Sequence, residues 1–329
     1  RRQRLLEAQF EPEAAAPLPD ALFPNEVRDD LLRMLFLCCD EAIPPASQIV
    51  FALKTLCGFS VEEIAARLFT TEANVYKRWT RARGSLRLMR PELDLRERPA
   101  SRLPAVHAVI YLLFTEGYLS SRADETMRRE LCDEAIRLGE VLADHPIGQV
   151  PSSYALLALM HLHAARMSAR DDGAGGLLLL EEQDRSLWDQ EQIARGLAWL
   201  ERSASGAEFT RYHAEAGIAA EHCMAPRFAE TRWDRVAESY AMLERLAPSP
   251  LHRLNRAVAV AEWKGAEAGH SVLEEAAPPA WLANSYLWAA VSSDLHRRCG
   301  RTQEAMRLRA RALELAPNRA VRTLLSRRL

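Results

Sequence analysis

The sequence has few cysteines and no cysteine motif. Its six cysteines are scattered along 329 residues, with one adjacent pair, Cys38 and Cys39, and no C-x-x-C spacing. This pattern argues against a disulfide framework and a cysteine zinc site, and it is typical of the reducing cytoplasm. No apolar stretch approaches the length needed to span a membrane, and no signal peptide opens the chain. The sequence therefore predicts a cytoplasmic protein without membrane contact.

The sequence also has little net charge and almost no strand-like alternation. Its formal net charge is −2, so any contact with nucleic acid must come from a local basic patch rather than from the whole molecule. The length favours two or three domains. Apolar residues recur mainly at helical spacing, and the expected fold class is all-α.

Changes in composition divide the chain into four segments. Residues 1–25 combine proline, alanine and acidic residues without helical periodicity and are expected to be a linker. Residues 26–92 are expected to form a small helical domain, 93–102 a second linker, and 103–329 a larger helical domain. Because the chain opens on Arg1 without an initiator methionine, we expect it to be a fragment of a longer protein.

Three short helices are predicted at the start of the small domain. The first runs from Val27 to Cys39. The second is expected to be capped by Ser47 and closed by Gly58, which is free to adopt a left-handed conformation. Ser60 caps the third, with Glu63 three residues later as its capping-box partner.

A fourth, longer helix is predicted after a three-residue connection, Phe69 to Thr71, and extends to about Met89. Its apolar residues follow helical spacing and form one buried stripe: Val75, Trp79, Ala82 and Leu86. Two helices joined by such a short turn are typical of a helix-turn-helix. Phe69 stands where many such turns use glycine. Since a bulky residue at positive φ is strained, we expect a different turn geometry.

The face of this helix opposite the stripe is basic. It carries six cations and no acidic residue: Lys77, Arg78, Arg81, Arg83, Arg87 and Arg90. The leading end carries hydrogen-bonding side chains where a recognition helix meets base edges: Thr70, Thr71, Glu72, Asn74, Tyr76 and Lys77. Arg81, Arg83 and Arg87 are better placed for phosphates. The alternative is a solvated basic face on an ordinary helical hairpin.

The stretch "ASQIVFALKTLCGFSVEEIAARLFTTEANVYKRWTRARGSLR" resembles region 4 of bacterial sigma factors of the extracytoplasmic-function (ECF) type. The resemblance is carried by two motifs: Ser60-Val61-Glu62-Glu63-Ile64-Ala65, and Val75, Arg78, Arg81-Ala82-Arg83 and Leu86. It implies binding of the −35 promoter element and docking on the β flap of RNA polymerase. It also implies base or backbone contacts by Thr71, Glu72, Asn74, Lys77 and Arg78.

The sequence further downstream is similar to ECF sigma factors with a long tetratricopeptide-like (TPR-like) C-terminal extension. The similar stretches are "AVIYLLFTEGY", "LLLLEEQDRSLWD" and "LNRAVAVAEWKG". Sigma factors also need a region 2, which residues 1–25 cannot supply. The resemblance therefore implies that this segment is the linker that follows a missing region 2, and that the chain by itself does not initiate transcription.

Repeats within residues 103–329 independently predict an α-solenoid. The motif Leu246-Ala247-Pro248-Ser249 recurs as Leu315-Ala316-Pro317-Asn318, two periods of about 34 residues apart. Stacked helical hairpins bury a shared core and present a concave surface to partners. Eight helices are predicted here, at 105–116, 126–143, 152–167, 233–247, 251–264, 266–276, 281–299 and 302–315. The alternative is an ordinary helical domain without a binding groove.

Catalytic and metal-binding patterns are weak. His161 and His163 are two residues apart and point to different sides of a helix, as do Glu221, His222 and Cys223. Each histidine is expected to be satisfied or exposed. The stretch "DDGAGG", 171–176, lacks the ending of a phosphate-binding loop. We expect no enzyme, cofactor or metal.

An acidic group occupies residues 181–189: Glu181, Glu182, Asp184 and Asp189. Paired carboxylates suit acid–base work, but a salt-bridge network or a contact with the basic helix is at least as plausible. In the second case the C-terminal domain masks the helix-turn-helix electrostatically.

The predicted function is a sigma factor fragment of the ECF type that recognises the −35 element. Its partners are promoter DNA, the RNA polymerase core and, at the TPR-like domain, a regulatory protein or an intramolecular contact. The alternative is a signalling or scaffold regulator whose helix-turn-helix binds operators.

Overall fold

The computed structural model describes four parts of the chain: 29–88, 99–122, 126–172 and 176–328. These parts contain sixteen α-helices and no β-strand, apart from one antiparallel bridge between Asp171 and Leu177. The predicted all-α class is confirmed. The predicted linker at 1–25, Arg90 and most of the predicted linker at 93–102 lie outside the described residues.

The first four helices follow the predicted order: α1 (Asp30–Cys38), α2 (Pro45–Thr55), α3 (Val61–Arg67) and α4 (Glu72–Leu88). Gly58 has φ +71°, as expected for a left-handed helix end. The predicted cap at Ser47 is wrong. Helix α2 begins at Pro45, because proline suits the first helical position, and the Ser47 side chain is buried within the first turn.

Five helices follow, two of which the sequence analysis did not predict: α5 (Pro99–Tyr118), α6 (Arg129–Asp144), α7 (Pro151–Ala164), α8 (Gln190–Ser203) and α9 (Arg211–Met224). The missed helices are α8 and α9. A signal for α8 was present, since Ile193, Leu197 and Leu200 recur at helical spacing. The Asp189 carboxylate caps α8 by accepting from the backbone N–H groups of Glu191 and Gln192, both at 3.0 Å.

Seven helices complete the chain: α10 (Trp233–Leu246), α11 (Pro250–Lys264), α12 (Ala266–Glu274), α13 (Ala280–Ala283), α14 (Tyr286–Arg298), α15 (Thr302–Glu314) and α16 (Arg319–Arg328). The continuous helix predicted at 281–299 is wrong. It is broken before Ser285, whose hydroxyl accepts from the backbone N–H of Trp288 at 3.2 Å and so caps a new helix. Helix α16 was not predicted.

From α5 to α12 and again from α13 to α16, helices that follow one another in sequence pack on one another. One hydrophobic core nevertheless extends from α1 to α9, and it contains Leu32 and Phe36 together with Val106 and Ile110. Smaller apolar clusters join α9 to α11, α11 to α14 and α14 to α16. The predicted division into two domains stays a prediction. The core that extends from α1 to α9 contains residues from both of the predicted domains.

The last helix returns to the middle of the chain. Arg327 donates to the backbone carbonyl of Leu177 at 3.1 Å and pairs with Glu182 at 2.9 Å, while Arg328 pairs with Glu181. The first two carboxylates of the acidic group are therefore held by α16. Asp184 accepts from Ser186 and Asp189 caps α8. The hypothesis that this group masks the basic helix is wrong, because its carboxylates are engaged elsewhere.

Candidate nucleic-acid interface

The connection between α3 and α4 is a left-handed helix end of the Schellman type. The backbone N–H of Thr70 donates to the carbonyl of Ala65 at 3.0 Å, and that of Phe69 donates to the carbonyl of Ala66 at 3.3 Å. This pair of hydrogen bonds defines the motif, which requires a positive φ at the first residue after the helix C-cap. Phe69 supplies it, with φ +48°.

The prediction that this turn has a different geometry is therefore wrong, because Phe69 itself adopts the strained conformation with positive φ. A left-handed conformation costs an L-residue roughly 1–2 kcal/mol. The Phe69 ring lies against the Trp281 ring, with 4.8 Å between centroids. This aromatic contact with α13 offsets part of the cost and ties the turn to the C-terminal helices.

Helix α3 is fixed at both ends. At its start the capping box is confirmed: Glu63 donates its backbone N–H to the Ser60 hydroxyl at 3.0 Å, and Ser60 returns a hydrogen bond to the Glu63 carboxylate at 2.6 Å. At its end Arg67 pairs with the carboxylate of Glu116, which is fully buried. Arg67 also donates to the backbone carbonyl of Leu119 at 2.6 Å.

The Glu116 carboxylate has further donors from its own helix end. It accepts from the hydroxyl of Ser120 at 3.1 Å, and from the backbone N–H of Ser121 at 2.8 Å. A buried charge is tolerated only when it is paired and hydrogen-bonded. The position of α3 on α5 is therefore set by a satisfied buried ion pair.

The core stripe of α4 lies where the sequence predicted it. Val75 and Ala82 are fully buried, while Trp79 and Leu86 are half-buried. The opposite face points to solvent. The Trp79 ring has Lys54 on it at 5.6 Å and Arg83 at 4.7 Å. Lys54, on α2, thus joins the basic surface, and the sequence analysis missed it because nothing in the sequence relates it to α4.

The leading end of α4 is exposed, but some of its predicted contact residues also have local roles. The Thr71 hydroxyl accepts from the backbone N–H of Asn74 at 3.3 Å and caps the helix, and the Asn74 amide donates to the Thr70 hydroxyl at 3.3 Å. Thr71, Asn74 and Glu72 are exposed and Thr70 is half-buried. Tyr76 is exposed as well, with 52% of its surface accessible.

The cations of α4 are the main electrostatic feature of this face. Arg78 is half-buried, and the other four are exposed: Lys77, Arg81, Arg83 and Arg87. Within the part of the chain that the structure describes, none of the five has an ion-pair partner, whereas most arginines of the C-terminal helices do. We call this set of five cations and the leading end the α4 face.

The other candidate sites are dispersed. His161 contacts Gln192 at 2.6 Å, whereas His163 lies against the Tyr118 ring at 4.8 Å, so the two point apart as predicted. Glu221 pairs with Arg232 at 2.6 Å. In the described residues no group of three or more His, Cys, Asp or Glu is arranged to hold a metal ion. The stretch 171–176 lies partly outside them.

Comparison with known families gives two matches. Residues 33–86 match the model of sigma-70, region 4, which covers α2, α3, the turn and nearly all of α4. Residues 102–204 match a family of unknown function, DUF6596. The chain thus carries a helix-turn-helix segment of the sigma-70 region 4 type. Region 4 is not an enzyme family.

A curated relative covers nearly the whole chain. An uncharacterized protein of Rhizobium meliloti (strain 1021) is 37% identical over 303 residues, which is 92% of this chain and 71% of the relative. The chain belongs to the family of this Rhizobium protein. No solved structure matches it. Across the described ranges, none of the helices combines the length and apolarity needed to cross a bilayer.

Proposed function

We propose that this protein is a sigma factor of the ECF type that recognises the −35 promoter element through the α4 face. The observation that carries the proposal is the set of five cations on α4, in a protein whose net charge is only −2. Four of the five are exposed, and none has an ion-pair partner among the residues that the structure describes. An unbalanced row of arginines on one helix suits the phosphates of a duplex. The match to sigma-70 region 4 covers the same helices.

The predicted site residues divide into three roles in this proposal. Glu72, Asn74, Tyr76, Lys77 and Arg78 stand at the leading end or in the next turn, where a recognition helix meets base edges. Thr70 and Thr71 hold that end in shape through the hydrogen bonds described above. Arg81, Arg83 and Arg87 lie further along and contact phosphates.

The C-terminal helices belong to the same proposal as a TPR-like solenoid. Its support is the packing of successive helices on one another from α5 to α12 and again from α13 to α16, which is the arrangement of helical repeats. In this proposal the RNA polymerase core, through its β flap, is the protein partner of region 4. The C-terminal helices provide a regulatory surface, and the contact of Phe69 with Trp281 is its intramolecular link to the helix-turn-helix.

The test is selection of duplexes from a random library by the full chain, followed by anisotropy titration of the selected sequence. We expect a single enriched motif. Arg78→Ala and Lys77→Ala are each expected to lower the affinity for it by about 1–3 kcal/mol where the side chain contacts a base. Arg195→Ala, an exposed arginine on α8 that pairs with Glu191 at 2.7 Å, is the matched control and is expected to leave affinity unchanged.

Binding of the chain to purified core RNA polymerase separates a sigma factor from an operator-binding regulator. We expect a complex that survives gel filtration. Selection of a motif without polymerase binding would favour a scaffold regulator. Absence of any enriched motif, with circular dichroism showing a folded chain, would exclude promoter recognition by α4.

A further inference from the structure

The C-terminal half encloses a partly open cavity of about 490 Å³. Its walls come from the segment after α7, from α9, α10, α11 and α14, and from α16, whose return closes one side. Most of the wall is aliphatic or aromatic. Leu177, Phe228, Trp233, Val236 and Tyr240 are among the apolar side chains that line it.

Two arginines in this wall have no carboxylate partner within the described ranges. Arg166 is buried, with 7% of its surface exposed, and its guanidinium lies over the Trp188 ring at 5.2 Å and contacts the Gln183 amide oxygen at 3.4 Å. Arg170 is half-buried. It lies over the Tyr118 ring at 3.6 Å and donates to the backbone carbonyl of Tyr118 at 2.6 Å.

The carboxylates of the same wall do not compensate for these charges. Each of the three carboxylates already pairs with another arginine. Glu262 pairs with Arg298 at 2.5 Å and Asp294 with Arg297 at 2.5 Å, while Glu181 pairs with Arg328. The positive charges of Arg166 and Arg170 are therefore left over after every ion pair of the wall is made.

The surroundings of the two arginines contain a third guanidinium and further buried polar atoms. One guanidinium nitrogen of Arg185 donates to the backbone carbonyls of His222 and Ala225, at 2.5 and 2.8 Å. Among the described residues, its other terminal nitrogen is buried without a hydrogen-bond partner, and so are the Nδ1 atoms of His163 and His222. The expectation that these histidines are satisfied or exposed is wrong for both. Buried polar atoms without partners are rare in folded proteins and ask for an explanation.

The electrostatics are consistent with an uncompensated positive site. Burial, and then the charges of Arg166 and Arg185, lower the pKa of His222 to about 3. Burial, and then Arg166, Arg170 and His222, lower the pKa of His163 to about 3. Burial of a charge without a counter-charge is costly, and an anion from solution would remove that cost.

We propose that this cavity binds a small organic anion. Its carboxylate, sulfonate or phosphate group is held by Arg166 and Arg170, and its apolar body lies against Trp233, Val236 and Tyr240. Guanidinium groups suit such headgroups because their planar donors make paired hydrogen bonds to two oxygens. A largely apolar wall with a few convergent polar groups is the usual form of a small-molecule site.

The test uses the full chain with three probes: anilinonaphthalene sulfonate, octanoate and octanol. The fluorescence of the sulfonate is expected to rise on binding of one molecule per chain, and octanoate is expected to displace it. Octanol has the apolar body without the charge, and we expect it to compete about tenfold or more weakly.

Two variants locate the site. Arg166→Met and Arg170→Met are each expected to weaken octanoate binding by about tenfold or more. Arg202→Met is the matched control. Arg202 also stacks on aromatic rings, at 4.2 Å over Tyr154 and 5.2 Å over Trp199, but it is not among the cavity-lining residues. We expect it to bind octanoate like the wild type.

Four results would overturn the proposal. These are no binding of the sulfonate, equal competition by octanol and octanoate, unchanged binding in both cavity variants, and inorganic phosphate competing as well as octanoate. Circular dichroism shows whether each variant is folded. If a variant is unfolded, the comparison of octanoate with octanol on the wild-type chain decides. None of these measurements involves DNA, so they stand apart from the proposed promoter recognition.

Discussion

Within the described residues, the α4 face and the cavity wall each hold arginines without ion-pair partners, and their surroundings differ. On the α4 face four of the five cations are exposed, so water solvates their charges. In the cavity Arg166 is buried, and its charge has exchanged water for an aromatic ring and an amide. The exposed cations of the α4 face suit a long polyanion, whose phosphates they can approach from solvent. The arginines of the cavity wall suit one small anion of matching shape.

Arg67 shows a third arrangement, in which a largely buried arginine pairs with a buried carboxylate, that of Glu116. Its contacts also link the helix-turn-helix to the cavity wall. Arg67 donates to the carbonyl of Leu119, and Arg170 from the cavity donates to the carbonyl of Tyr118. The end of α5 is therefore held by the helix before the turn and by the cavity wall. Each arginine can be substituted separately, which tests whether its ion-pair partner determines its contribution to stability and binding.

The largest effect is expected for Arg67→Met. It leaves the fully buried Glu116 carboxylate without its cation, and breaking a buried ion pair costs about 3–5 kcal/mol. Urea unfolding measures the loss in the free energy of unfolding. Arg166→Met removes a buried cation that has no carboxylate partner within the described residues, so in buffer without organic anions we expect a change below about 1 kcal/mol.

Arg227→Met is the control for this pair, because its ion pair with Glu230 is largely exposed. We expect it to change stability by less than about 1 kcal/mol. Equal destabilisation by Arg67→Met and Arg166→Met would show that Arg166 already has an internal counter-charge, and the distinction between the two buried arginines would fail.

Acidification tests whether the folded chain keeps His222 neutral, since burial and then the charges of Arg166 and Arg185 lower its pKa. The pKa of His222 is about 3 in the folded chain and near 6.5 when unfolded. Between these values the unfolded chain binds a proton that the folded chain does not, so stability falls as the pH is lowered. From pH 7 to 5 this histidine contributes a loss of about 2 kcal/mol.

The variant His222→Asn isolates this contribution. We expect its free energy of unfolding to fall less than that of the wild type between the two pH values, as measured by urea unfolding at each. Other buried histidines, including His107 with its pKa near 4, act equally in both chains and cancel in the comparison. An identical pH dependence of the two chains would mean that His222 is not held neutral.

On the α4 face the expected effect is smaller and depends on salt. Arg83→Ala is expected to weaken binding to selected and unrelated duplexes alike. The slope of log affinity against log salt should become shallower by about 0.9 for the lost phosphate contact. Anisotropy titrations over a range of salt concentrations give the slope. Loss of affinity for the selected duplex alone would instead place Arg83 at a base.

The smallest net effect is expected for Phe69→Gly. Glycine relieves the left-handed strain at φ +48° but loses the ring contact with Trp281, so we expect a change below about 1 kcal/mol. In a Trp281→Ala background the ring contact is already absent, and the same substitution should stabilise the chain. A coupling energy of about 0.5–1.5 kcal/mol is expected, and strict additivity would show that the contact contributes nothing.

Local signals in the sequence were enough to determine the helix-turn-helix. The capping box at Ser60, the stripe of Val75 and Ala82 and the opposite row of cations all depend on residues a few positions apart, where helical periodicity alone decides which side is buried. The same local reasoning failed at Phe69, because its cost is offset in part by a ring more than two hundred residues away.

Only the tertiary structure decided what becomes of the charges in the C-terminal half. The sequence shows Arg166, Arg170 and an acidic group in the same region, and pairing among them was a natural expectation. Helix α16 instead returns to take Glu181 and Glu182, and the two arginines are left in the wall of a cavity. Pairing between residues about 150 positions apart depends on how the helices stack, and no periodicity within one helix encodes it.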